Sequence, residues 1–305
     1  MKPLLPLAAA LALASPAGAA EATDAMPRTL LLTAFPPEFA ALEGAVESPQ
    51  KVIINGRLFL SGTLAGHPVL LAESGVSMVN AAMTTQLALD RFRVRRIVFS
   101  GIAGGVDPAL HIGDVAVPET WAQPLETAFA RATKNGWKPP EPRDPKAPPG
   151  FGMMVPRAVR VGNAEAPPER HYLLDADPAL LALARQVAGK AHLARCTAPA
   201  TGTPKCLQGT PRVVVGGVGA SAPVLVDNAE WRRYLYSAWH ARLTDMESAA
   251  VVQVAYANRV PAIVFRSLSD LAGGDAGENQ MRSFMALAAG NSASVVKEFV
   301  AALPD

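Results

Sequence analysis

From Arg28 onward, short apolar runs alternate with stretches whose apolar residues recur at helical spacing. Residues 29–34 read as a first strand. Residues 51–54, 58–64 and 68–72 read as hairpin strands, separated by Asn55-Gly56 and Gly66-His67, pairs that favour tight turns. Helical spacing covers residues 77–92. A buried strand with a glycine-rich end follows at 96–100, and another strand at 115–118. Strands at 212–215, 241–245 and 261–267 then alternate with helices at 228–238, 248–257 and 278–303. This alternation predicts an α/β domain spanning residues 28–304, with no internal repeat.

Between about residues 120 and 211 the pattern breaks. The stretch NGWKPPEPRDPKAPPG, residues 135–150, cannot be a helix or a central strand, because each proline lacks an N–H to donate. A helix is expected at 180–188. The region reads as a Pro-rich insertion on the surface of the core, with no separate core of its own.

Two features speak to location. Residues 1–19 open with Lys2, continue as an apolar run from 4 to 14 and end in Ala17, Gly18 and Ala19. That is the form of a cleavable signal peptide, too short for a lasting membrane anchor. It implies a secreted or periplasmic protein that is not membrane-bound after cleavage. In such a compartment Cys196 and Cys206 are expected to form a disulfide across a small loop, the alternative being two free thiols.

Composition narrows the function classes. The chain of 305 residues is 50% hydrophobic and 18% charged, which excludes disorder, and its net charge is +2. With no dense basic stripe, nucleic acid is not an expected partner. The five histidines are scattered singly, so no metal site and no cofactor are assigned. VVVGGVGASA carries a G-x-G-x-x-A spacing, but Pro223 follows at once and no acidic strand end lies at the distance a dinucleotide site needs.

Polar residues gather where strands end, the usual place for sites in open α/β sheets. Glu38 follows the first strand, and Ser74-Gly75 and Ser100 to Gly105 end two others. Met246-Glu247 and Ser269-Asp270 close the last two. Converging carboxylates suit general acid–base work on a small molecule. Singly, each has a plainer reading as a helix-start or turn residue.

The runs SGIAGGVDPALHIGDVAVPE, TDMESAAVVQVA, FRSLSDLAGG and TAFPPEFAAL, taken in order, resemble the nucleoside phosphorylase superfamily. Within it they are similar to the methylthioadenosine/S-adenosylhomocysteine nucleosidase branch, and ASAPVLVDNAEWRRY resembles its exported, bark-storage-like relatives. The resemblance implies a nucleoside-phosphorylase-like fold, a central mixed sheet flanked by helices, acting on purine nucleosides as a homodimer. It implies that Asp270 is the general acid at N7 of the departing purine, held by Ser269, and that Glu38 activates the attacking water with help from Arg266. Glu247 binds the ribose hydroxyls, Met246 packs on the sugar, and Ala103 and Gly104 lie near the purine. Ser74 and Ser221 are further candidates for substrate contact, Ser221 and Asn228 being equally readable as turn or cap residues.

The same residues favour hydrolysis over phosphorolysis. A phosphorylase must hold an anion, which calls for arginine, whereas TAFPPEFAA and SGIAGG contain none. Two departures from the branch stand out. Ile102 replaces a hydroxyl residue that would bind the water, and no Phe follows Gly217 to stack on the base. These departures leave a non-catalytic nucleoside-binding or storage-like protein as the rival reading, opposed by Glu38, Glu247, Arg266 and Asp270 standing together.

Overall fold

A computed structural model describes residues 24–198 and 202–304. The signal peptide expected at residues 1–19 lies outside them. Within the described residues twelve strands form one sheet: β1 (Asp24–Thr33), β2 (Glu47–Ile54), β3 (Arg57–Leu64), β4 (His67–Glu73), β5 (Phe92–Gly105), β6 (Val115–Val117), β7 (Thr120–Ala122), β8 (Leu173–Asp175), β9 (Val213–Val215), β10 (Val218–Ser221), β11 (Ala241–Asp245) and β12 (Ala262–Asp270). Among the described residues six helices accompany them: α1 (Pro36–Glu43), α2 (Met78–Arg91), α3 (Pro178–Val187), α4 (Ala229–Trp239), α5 (Ser248–Asn258) and α6 (Met281–Ala301).

The main path runs β8-β7-β10-β11-β5-β1-β4-β3-β2, with β12 paired to β5 and β6, and β9 to β6. Parallel pairs such as β1–β4 and β1–β5 coexist with the antiparallel β2–β3–β4 meander and the antiparallel β5–β11 contact, so the sheet is mixed. Strand β5 joins its two halves. Ile97 to Phe99 lie between β1 and β12, whereas Gly104 and Gly105 reach β11.

Alternation along β1 explains the layers. Leu30 and Leu32 point into one core with Phe99 and Val264, covered by α2 and α5. Leu31 points into the other with Val98, Ile263 and Phe265, covered by Val295, Val296 and Phe299 of α6. All three leucines are fully buried, as strands covered on both faces require.

Several expectations need correction. The glycine-rich end of β5 is strand through Gly105, because Gly104 and Gly105 pair with Thr244 and Leu243. Strand β10 adds to the expected elements, and Glu38 lies in the first turn of a helix, α1, as its plainer reading had it. The span 120–211 is not uniformly a surface insertion: β7 and β8 belong to the main sheet, and α3 buries Leu180, Leu181, Ala184 and Val187. Strands of three residues are too short to show a period. The true excursion is residues 127–171, three short antiparallel pairings of which Arg131–Thr133 with Gly136–Lys138 is wholly exposed. Cys196 and Cys206 are bonded to each other beyond α3.

Candidate active site

The carboxyl ends of β1, β5, β11 and β12 open on a cavity of about 370 Å³. Phe35, in extended backbone, ends the run from β1, and Pro36 starts α1 with φ already suited to a helix. Glu38 therefore falls in the first turn of α1, folded back toward the sheet. Its two oxygens accept the backbone N–H groups of Ala34 (2.6 Å) and Ile102 (2.8 Å). It is 2% exposed. Burial pushes its carboxyl up to about 7; Arg266 and the two backbone donors pull it back only in part, and Glu247 adds to the rise.

Glu247 precedes α5 at the end of β11. Its Oε1 accepts the backbone N–H of Ser77 at 2.8 Å. Ser77 stands at φ 87°, strained for a non-glycine residue, so this donor is placed at a conformational cost. Burial, and then the neighbouring Asp245 charge, raise the Glu247 carboxyl against the pull of Arg266.

Asp270 ends β12 just past a register shift between Leu268 and Asp270, the kind of irregularity that re-aims a side chain. Its Oδ1 accepts the Ala272 N–H at 2.9 Å, and its Oδ2 the Ser269 hydroxyl at 2.9 Å. Burial raises its pKa, and these two donors offset the rise only partly.

Behind these groups lies Arg266, fully buried, its guanidinium carbon 4.1 Å from the centre of the Phe99 ring. Nε sits 2.7 Å from Asp245 Oδ2, Nη2 3.5 Å from Glu247 Oε2 and Nη1 3.6 Å from Glu38 Oε1. Burial alone would lower the pKa of Arg266; the three carboxylates overcome that and raise it. Gly101 gives the arginine room, since a Cβ there would stand 1.7 Å from Nη1 and 2.5 Å from Glu38 Oε1.

The structure thus brings Glu38, Ala103, Gly104, Met246, Glu247, Ser269 and Asp270 to one cavity wall. Arg266 supports that wall without lining it. Ser74 and Ser221 do not reach the cavity, which corrects the expectation of substrate contact. The Ser74 hydroxyl donates to the carbonyl of Gly75, and Ser221 donates to Asp245 while accepting the Ala249 N–H. Asn228 caps α4 through the Trp231 N–H, and a Cβ at Gly219 would strike the Trp121 ring at 2.6 Å, so the glycine motif serves packing. Missed from the sequence were Asp245 and the apolar lining of Phe35, Val224 to Val226, Met281 and Met285, together with Ser248, whose hydroxyl meets Arg266 behind the wall. The acidic pair flanking Met246 was the available signal for Asp245.

The profile of the phosphorylase superfamily matches residues 28–301. The chain belongs to that superfamily. Among similar proteins, a 5′-methylthioadenosine/S-adenosylhomocysteine nucleosidase of Mycobacterium bovis is 29% identical over 266 residues, covering 87% of this chain and 94% of its own. One from Tolumonas auensis is 27% identical over 266 residues, with 87% and 95% covered. In three dimensions the chain resembles the Helicobacter pylori futalosine hydrolase, with a TM-score of 0.67 and 23% identity over 91% of this chain and 98% of that one. This superfamily member shares the central mixed sheet flanked by helices with that structure, and with a 5′-methylthioadenosine/S-adenosylhomocysteine nucleosidase of the same organism at TM-score 0.67 and 24% identity, over 92% and 100% of the two chains.

Proposed function

We propose that this phosphorylase-superfamily protein hydrolyses the N-glycosidic bond of purine nucleosides, with 5′-methylthioadenosine and S-adenosylhomocysteine as its substrates. The charges around the cavity carry this reading. Among the described residues, the charged ones that line it are Glu38, Asp245, Glu247 and Asp270, four acids with no Lys or Arg. Such a wall offers a phosphate anion no cation to bind it and suits activation of water. The similarity to nucleosidases over most of the chain supports the substrate class.

In this reading Asp270, its pKa raised by burial, holds the proton that N7 of the leaving purine takes as the bond to C1′ breaks. Glu38, up at about 7, accepts the proton of the water that attacks C1′. A base poised near neutrality is the most effective for such a transfer. Glu247 receives the ribose hydroxyls and Met246 packs on the sugar. Ile102 brings a backbone donor to Glu38 but no hydroxyl for the water. Val224, Leu225 and Val226 offer the base an apolar face in place of an aromatic ring, and Phe35, Met281 and Met285 suit an uncharged 5′-thioether.

The test is base release from a nucleoside panel by the purified protein, with and without phosphate. Adenine from the 5′-thio nucleosides at a rate indifferent to phosphate is expected. Asp270→Asn should lower turnover by roughly 10²-fold or more while ligand affinity holds. Release that requires phosphate, or full turnover in Asp270→Asn, overturns the reading; no base from any nucleoside favours the nucleoside-binding alternative.

A further inference from the structure

In the cavity wall beside Glu247, Asp245 is held from several sides. Its Oδ1 accepts the Ser221 hydroxyl and the backbone N–H groups of Glu247 and Ser248, at 3.3 and 3.2 Å, and its Oδ2 accepts the Ser248 hydroxyl. Two buried hydroxyls and two amides fix this carboxylate as the most firmly anchored of the three around Arg266. The arginine turns its shortest contact toward it, Nε to Oδ2 at 2.7 Å. Ser248 completes the grip, its Oγ lying 3.0 Å from Nε and 2.9 Å from Nη2. On the far side Nη1 has no hydrogen-bond partner among the described residues, although it is fully buried and Glu38 Oε1 is only 3.6 Å away. A buried guanidinium nitrogen left unpaired beside a carboxylate is unfavourable unless something holds it back.

We propose that Asp245 is a positioning residue: with Ser221 and Ser248 it anchors the guanidinium of Arg266 away from Glu38, so that Glu38 lacks a hydrogen-bonded cation and stays free to accept a proton. Resting on the reading of Glu38 as the base, this says how one arginine can sit among three carboxylates without disabling it. If Arg266 closed on Glu38 in a full hydrogen-bonded pair, that carboxylate would become a poor proton acceptor, since an opposite charge in contact favours the ionised form. The charged groups facing Glu38 are Arg266 from β12, Glu247 from the start of α5 and, beyond the arginine, Asp245 from β11; β5 presents Gly101 and Ile102, which carry none.

Infrared titration of the Glu38 carboxyl, assigned by its loss in Glu38→Gln, reads this without turnover. In Asp245→Asn the arginine keeps only Glu38 and Glu247 as counter-ions, and the midpoint should fall by about one pH unit. Ser248→Ala, which changes no charge but removes the grip on Nε and Nη2, should shift it the same way by less. The acid limb of kcat should move with the midpoint. A midpoint that stays put or rises in Ser248→Ala overturns the proposal, whether or not Asp245→Asn folds. If the unaltered protein releases no base, the nucleosidase reading fails while the titration still decides what Asp245 does.

Discussion

Replacing Glu38 by glutamine should change the pH dependence of stability by an amount the structure fixes. The carboxyl is fully enclosed, and burial lifts it from 4.5 to about 7. At about 1.36 kcal/mol per pH unit, that distance corresponds to about 3 kcal/mol. Between those values the folded protein holds a proton that the unfolded chain has released. Glu38 therefore contributes nothing unfavourable below pH 4.5, and the penalty for ionising it is fully felt once pH has risen through 7. Glutamine removes the titration. It also loses one acceptor for the backbone N–H groups of Ala34 and Ile102, a fixed cost of about 1–3 kcal/mol at every pH. The variant should thus be the weaker protein near pH 4 and close to parity, or ahead, near pH 8. Its stability relative to the parent should rise by about 3 kcal/mol across that span. Urea unfolding of both proteins at pH 4, 5, 6, 7 and 8 measures the difference, in which contributions common to both cancel. Parallel curves would refute the claim that burial raises the Glu38 carboxyl toward neutrality.

Gly101→Ala drives a methyl group into Arg266 Nη1 and Glu38 Oε1. It should lower stability by about 1–3 kcal/mol in thermal or urea melts and depress turnover, because the buried pair must move; an unaltered rate would show that their placement is unimportant. A homodimer is expected from the exposed apolar residues Val76, Val79 and Met83 at the cavity rim and along α2, 44%, 69% and 57% exposed. Size-exclusion chromatography with light scattering checks this, and a monomer at all concentrations refutes it.

The sequence by itself determined the layered α/β plan and marked Glu38, Glu247 and Asp270, three of the acids that line the cavity. Runs such as Leu30 to Leu32 can be satisfied only with both faces covered, and the spacing of the helices between them leaves little choice of architecture. Glu38, Glu247 and Asp270 were legible because each closes or closely follows a strand, where local pattern marks a sheet rim. The resemblance of their flanking runs to one superfamily assigned their roles. Only the tertiary structure decided which polar residues face the cavity. Ser74 and Ser221 sit in equally suggestive stretches, yet the pleat and the register of β10 on β11 turn Ser221 onto Asp245. The short strands β7 and β8 were hidden for a similar reason: three residues have no period, and their place depends on partners far along the chain. The arrangement around Arg266 lay furthest from view. Its 2.7 Å contact with Asp245 and its 3.6 Å gap to Glu38 arise from three strands and two helix starts meeting in space, and the difference between those distances sets how readily Glu38 takes a proton.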